Sequence, residues 1–234
     1  MNTRLRSIAR KFAVGAGIAA GGYAGLVTWH RIRYGRAAAK ADPANAVLLD
    51  RFIPAPEAVE HHQIEINAPP EVVLTAAKEL RLLDSRLIRG IFKVRELVLS
   101  GEPDTRVHPE ALFEQMRSIG WVPLAERPNR EIVMGAATIP WHANPVFRSI
   151  PAGEFEAFRE PGYVKIAWSL RAEPAGDYRS IFHTETRVST TDCQAREQFK
   201  RYWSFVAPGV ELIRIAMLRP LKRQAERQVQ YAMV

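Results

Sequence analysis

Six histidines, one cysteine and 25 acidic residues are the stock from which this chain could build acid–base, nucleophilic or metal chemistry. The histidines stand at 30, 61, 62, 108, 142 and 183, and none forms a His-Glu-x-x-His pair. His61 and His62 are adjacent, so a strand sends them to opposite faces and they cannot hold one ion together. No metal site is expected. Cys193 stands where the last helix should begin, a position whose dipole lowers a thiol pKa. The sequence supplies no base beside it, and a single cysteine forms no intrachain disulfide. No Gly-x-Ser-x-Gly elbow and no phosphate loop occurs. Gly15-Ala16-Gly17-Ile18-Ala19-Ala20 has dinucleotide spacing, but Arg-rich sequence precedes it and no acidic residue appears before Asp42. It is set aside, and no cofactor is expected. His183, Glu185 and Arg187 alternate along one strand as a polar ladder, expected on a water-facing side. Trp141, His142 and Arg148 fall in the least regular stretch, where a lid or cavity mouth could form.

The elements that must position such residues follow from periodicity. The alternating residues 61–67 read as a strand, with Gln63, Glu65 and Asn67 on one face and Ile64 and Ile66 on the other. Asn67-Ala68-Pro69-Pro70-Glu71 opens a helix, with Val72, Val73, Ala76, Ala77 and Leu80 as its apolar face. A second helix is expected from about Asp84, and a third over 109–118, closed by Gly120. Strands are expected from Trp121 to Glu126 and from Glu131 to Ile139, across an Arg127-Pro128-Asn129-Arg130 turn. Tyr163–Glu173 and Tyr178–Thr190 flank Pro174-Ala175-Gly176-Asp177, a hairpin signal. In that hairpin Val164, Ile166, Trp168 and Leu170, with Phe182, Thr184, Thr186 and Val188, should pack, while the alternate residues face water. Asp192 can cap a long final helix. Its apolar stripe runs through Phe199, Trp203, Val206, Val210, Ile213, Met217 and Leu221. Pro208 and Pro220 should kink or divide it.

Charge separates the N-terminal segment from the rest. Residues 1–40 hold eight basic and no acidic residues, which accounts for the whole net charge of +8. The remaining 194 residues carry 25 of each sign. A phosphate-binding domain needs a basic excess on the domain itself, so no nucleic-acid partner is expected. Between two basic clusters, Phe12–Trp29 is 18 residues long without a charge, just enough for one membrane span. Trp29 and Tyr34 suit an interfacial belt. A surface-lying basic segment and a cleaved signal peptide are the alternatives, the latter disfavoured by Arg31, Arg33 and Arg36 ahead of Ala37-Ala38-Ala39. Four basic residues on each side leave the orientation open. Gly17, Gly21 and Gly25 share one face, through which two such helices could dimerise. The division is therefore a basic segment 1–36 with an anchor helix over 12–29, a proline- and alanine-rich linker 37–58, and a domain 59–234.

The order of strand, two helices, further strands ending in hairpins and one long C-terminal helix resembles the helix-grip superfamily of START-like, polyketide-cyclase-like proteins (SRPBCC). The residues that carry the likeness are Ile64-Glu65-Ile66-Asn67-Ala68-Pro69-Pro70-Glu71-Val72-Val73, Thr184-Glu185-Thr186-Arg187-Val188 and Phe199-Lys200-Arg201-Tyr202-Trp203. It covers about 59–230. The resemblance implies an α+β fold, a curved antiparallel sheet wrapped around the long helix, here preceded by a transmembrane helix, with an apolar cavity between sheet and helix. Cavity candidates are then Trp168, Phe182, Thr184 and Thr186 from the sheet and Trp203, Val206, Val210 and Ile213 opposite. Three functions stay open: a membrane-anchored domain binding a lipid or other apolar molecule, a cyclase- or hydratase-type enzyme in the same cavity, or a filled interaction module.

Overall fold

The computed structural model describes residues 21–29, 32, 34, 48–81 and 111–232. Its elements are α1 (Leu49–Phe52), β1 (Ala58–Ile66), α2 (Pro70–Lys78), α3 (Leu112–Ser118), β2 (Val122–Arg127) and β3 (Glu131–Thr138). Then come β4 (Phe147–Arg148), α4 (Ala152–Phe155), β5 (Val164–Pro174), β6 (Ser180–Thr190) and α5 (Cys193–Ala232). The strands form one antiparallel sheet in the order β1-β6-β5-β3-β2, with β4 on β3. The last strands form a hairpin whose turn places Gly176 at φ +131, a conformation open to glycine and strained for other residues.

Alternation assigns the faces. Ile64 and Ile66 of β1, Phe182 of β6, Trp168, Leu170 and Ala172 of β5, and Ile132, Met134 and Ala136 of β3 share the inner face. There they meet Val73, Leu74, Ala76 and Ala77 of α2 and Met217, Leu218, Leu221 and Ala225 of α5. The start of α5 makes its own cluster, with Phe199, Trp203 and Ala207 against Ala58, Val164 and Val188. One long C-terminal helix thus covers this face of an antiparallel sheet, as expected from the order of the elements. Asp192 Oδ1 accepts the Ala195 backbone N–H at 2.8 Å and so caps α5.

Four expectations are corrected. First, α5 is one helix of 40 residues with Pro208 and Pro220 inside it, so the prolines do not divide it. The packing of Ala207, Met217, Leu218 and Leu221 on the sheet offsets the backbone hydrogen bonds that the prolines remove. Second, the chain from Leu48 to Ile53 is no linker: Leu49, Phe52 and Ile53 are buried. They lie with Val133, Ala137, Ile150, Phe155 and Ala167 on the outer face of the sheet. Third, that outer face is therefore not solvated, and His183 and Arg187 are buried on it. Fourth, β1 starts at Ala58, three residues before the expected strand. Residues 37–47, and the helix expected from Asp84, lie outside the described residues.

Among the described residues no helix is long and apolar enough to cross a membrane. Residues 12–20 of the expected span lie outside them, and residues 21–29 are helical. The Tyr23 ring meets Phe205 of α5 edge-on at 5.9 Å, and the Tyr34 hydroxyl donates to Glu57 Oε2 at 2.5 Å.

Candidate functional site

On the inner face the register lines up two polar rows. Glu60 pairs with Thr186, which pairs with Trp168; His62 pairs with Thr184, which pairs with Leu170. Glu60, His62, Thr184 and Thr186 therefore project together toward α5. The helix answers with charge: Ala207, Glu211, Arg214, Leu218, Leu221 and Ala225 follow at steps of three and four, one side of the helix. Buried alanines and leucines hold both ends of that line, and Glu211 and Arg214 occupy its middle. The Arg214 guanidinium donates through Nη1 to Thr184 Oγ1 at 2.9 Å and through Nη2 to Thr186 Oγ1.

Electrostatics set the protonation states. Burial pulls the Arg214 pKa down to about 10, opposed by Glu60, so the guanidinium stays charged at neutral pH. Burial also holds the His62 imidazole below its usual value. Arg214 and His61 push it the same way and Glu211 pulls against them, so His62 is neutral near pH 7. Its Nε2 lies 3.8 Å from Glu60 Oε2, too far for a hydrogen bond, and their side chains are 16% and 13% exposed. That Nε2 is buried with no hydrogen-bond partner among the described residues. So is Nε1 of Trp121, whose ring stands edge-on to Trp168 at 6.2 Å and beside Phe147 at 5.4 Å. Two polar atoms are thus unmet on a largely apolar inner face.

The outer face carries a second polar group of a different kind. Arg187 donates to Asp50 and Glu185, both at 2.6 Å, and to the Ile53 carbonyl at 3.2 Å. Burial works against the Arg187 charge, but these carboxylates outweigh it and hold its pKa above the ordinary value. Buried Glu131 accepts the Leu48 N–H at 3.2 Å; burial raises its pKa and that bond opposes the rise. His183 stacks on His61, Nδ1 to Nε2 at 3.3 Å, and lies 3.2 Å from Glu173. Burial and Arg171 hold His183 below its usual pKa, against Glu173. Lys165 donates to the carbonyls of Phe155 at 3.2 Å and Glu156 at 3.0 Å. These groups clasp residues 48–57 and α4 to the sheet.

The expected site residues separate accordingly. Trp168, Phe182, Thr184 and Thr186 all face inward. Trp203, Val206 and Val210 pack near the start of α5 with Val164 and Val188, and it is Arg214, beside the expected Ile213, that reaches the threonines. Trp141 packs on that same cluster, whereas His142 is exposed. Arg148 pairs with Glu160 and lies over the Phe158 ring at 5.3 Å, on the outer side. Gly17 lies outside the described residues, and a Cβ added at Gly21 or Gly25 meets nothing within 4 Å. Cys193 is exposed. The ladder of His183, Glu185 and Arg187 is a structural clasp on a covered face. Glu60, His62, Glu211 and Arg214 were missed, although alternation continued back from Ile64 puts the first two on the inner face.

No known family's sequence pattern matches the chain, and no curated protein matches it. Several solved structures are similar. A hypothetical protein from Helicobacter pylori is 8% identical, over 80% of this chain and 99% of its own, with a TM-score of 0.39. An aromatase/cyclase from Streptomyces is 15% identical, over 74% and 95%, with a TM-score of 0.28. Norcoclaurine synthase from Thalictrum flavum is 11% identical, over 81% and 95%, with a TM-score of 0.30. Identities and scores this low carry nothing about ligand or reaction. What the interior does has to be argued from its own atoms.

Proposed function

We propose that this chain is a binding domain that takes a lipid-like or other apolar small molecule between the inner face of its sheet and α5. The observation that carries the reading is the change of character halfway along α5. Apolar packing gives way there to Glu211 and Arg214, opposite Glu60, His62, Thr184 and Thr186. A site for such a ligand combines apolar walls with a few placed polar groups, and Trp168, Leu170 and Phe182 supply walls beside these.

The membrane part of the proposal rests on the N-terminal segment. Its eight basic residues without an acidic one suit an anionic lipid surface. Leu26, Trp29 and Ile32 are about half exposed, as are Phe205, Leu212 and Ile215 at helical spacing on α5. These residues offer apolar surface where Tyr23 ties the two helices together. Tethering would keep the domain at a high effective concentration near membrane-borne ligands.

The test is native mass spectrometry of the full chain, purified in mild detergent from a bacterial host, with organic extraction of whatever stays bound. A reproducible adduct that extraction removes supports the reading. A clean unliganded mass, together with no thermal shift across a panel of lipids and aromatic compounds, refutes it. A second reading, an acid–base enzyme of cyclase or hydratase type, is favoured by one observation: His62 is inward-facing and neutral, as a general base must be. It requires the bound compound to be chemically changed on incubation, and His62→Leu to abolish that change.

A further inference from the structure

We infer that the ligand of this interior is a neutral, hydroxyl-bearing apolar molecule, whose hydroxyl is received by Nε2 of His62. The inference rests on the binding-domain reading and names the chemical class that the site would take.

Charge narrows the choice first. The groups that face His62 are Glu60 on its own strand, Thr184 and Thr186 on β6, and Glu211 and Arg214 on α5, with His61 adding a Coulombic push. With His62 neutral, two carboxylates accompany one guanidinium. Both Nη1 and Nη2 of that guanidinium already donate to threonine hydroxyls. A carboxylate or phosphate head group would meet the Glu60 and Glu211 carboxylates and a cation whose Nη1 and Nη2 are already engaged. Burying an anion there is unfavourable.

Hydrogen-bonding capacity narrows it further. A neutral imidazole has one accepting and one donating nitrogen, and the buried Nε2 has no partner among the described residues. The unmet Nε1–H of Trp121 can only donate. An ammonium would be drawn to the two carboxylates. It would also have to shed its water beside Arg214, and it accepts no hydrogen bond. A hydroxyl both donates and accepts, and loses little by leaving water when its bonds are replaced. The surroundings of Trp121, with Trp168 and Phe147 in ring contact, are otherwise apolar.

The experiment uses the full chain in a nonionic detergent and four probes of one size: naphthalene, 2-naphthol, 2-naphthoate and 2-naphthylmethylammonium, titrated calorimetrically at pH 8. The expected result is that 2-naphthol binds roughly tenfold more tightly than each of the others, the worth of one net hydrogen bond. His62→Leu should remove that preference and keep the affinity for naphthalene. A second measurement needs no variant. Naphthol affinity of the wild type should fall toward that of naphthalene, a total loss of about tenfold, as pH drops through the folded pKa of His62, because the imidazolium has lost its acceptor. Tighter binding of the carboxylate or the ammonium overturns the inference. So does equal binding of naphthol and naphthalene, or naphthol affinity flat in pH down to the acid limit of folding. In those cases the binding-domain reading still stands. If none of the four probes binds, both fall together.

Discussion

Arg214→Met tests whether the inner cluster is a balanced charge network. Methionine keeps the apolar stem of the arginine against the sheet and removes only the guanidinium. Thr184 and Thr186 each lose a charged donor, and Glu60 loses the cation that its carboxylate offsets. Breaking one partner out of a buried charged set costs about 3–5 kcal/mol, because the groups left behind stay buried with less compensation. For a protein whose urea m-value is ~2 kcal/mol/M, the midpoint of unfolding should fall by about 1.5–2.5 M with m unchanged. The double variant Glu60→Gln/Arg214→Met removes the Glu60 charge as well. It should recover about 1–3 kcal/mol of the single variant's loss, which appears as non-additivity in a double-mutant cycle. The assay is equilibrium urea unfolding of the full chain followed by tryptophan fluorescence. A single variant within about 0.5 kcal/mol of wild type, the range of ordinary surface substitutions, refutes the reasoning. Strict additivity of the two changes refutes it equally.

The clasp on the outer face and the tight backbone positions give four further expectations. Phe52→Ala, which empties a fully buried site against the Phe155 ring, should cost about 3–5 kcal/mol in the same unfolding assay, whereas a true linker residue would cost nothing measurable. Gly135→Ala brings a methyl against Leu124 and Phe155 and should cost about 1–3 kcal/mol. Gly120→Ala should cost more, because its φ of +107 disfavours any side chain and the obstacle is the Phe147 carbonyl, which is backbone. For Lys165, burial first and Arg159 second pull the folded pKa to about 8 from the ordinary 10.5, against Glu156. The folded state therefore binds fewer protons than the unfolded state between those values, and the wild type gains stability as pH rises through that window. The melting temperature of the wild type minus that of Lys165→Met should accordingly increase from pH 8 to 10.5, and a constant difference refutes the assignment.

The hairpin of β5 and β6 could be read in the sequence because its strands obey period two. Val164 to Leu170 and Phe182 to Val188 show on inspection which side packs. The sequence says less about what covers each side. Leu49 and Phe52 stand among alanines and prolines, and in four residues no helical period develops, so the cover of the outer face looked like a connection. That misreading made Arg187 a solvated charge. Its partners, Asp50 and the Ile53 carbonyl, are more than 130 residues away in the chain, and no local pattern reports such a contact. The helix prolines misled for a related reason. Their cost is local, and the packing that offsets it is not. Arg214 had a signal that apolar counting ignores. The steps 207, 211, 214, 218 and 221 trace one side of α5, and following them whatever their polarity puts two charges in the middle of a buried line.

The polar groups on the two faces of the sheet are met to different degrees, and the inner ones give the proposed site its test. On the outer face Arg187 has three acceptors, and its charge is met there. On the inner face an imidazole nitrogen and an indole N–H are buried without partners among the described residues. Each unmet polar group costs about 1–3 kcal/mol that an apolar side chain of similar size would avoid. If that cost exists because a ligand meets those groups, then His62→Leu should raise the melting temperature of the unliganded protein. It should also abolish the extra stabilisation that 2-naphthol gives the wild type over naphthalene. If His62 is instead an ordinary part of the core, the same substitution should leave the unliganded melting temperature unchanged or lower it. In the first case stability and binding move in opposite directions at one residue, as expected where a site keeps groups that the fold alone does not need. A single thermal-shift series on the two proteins, with and without naphthol, separates the two cases.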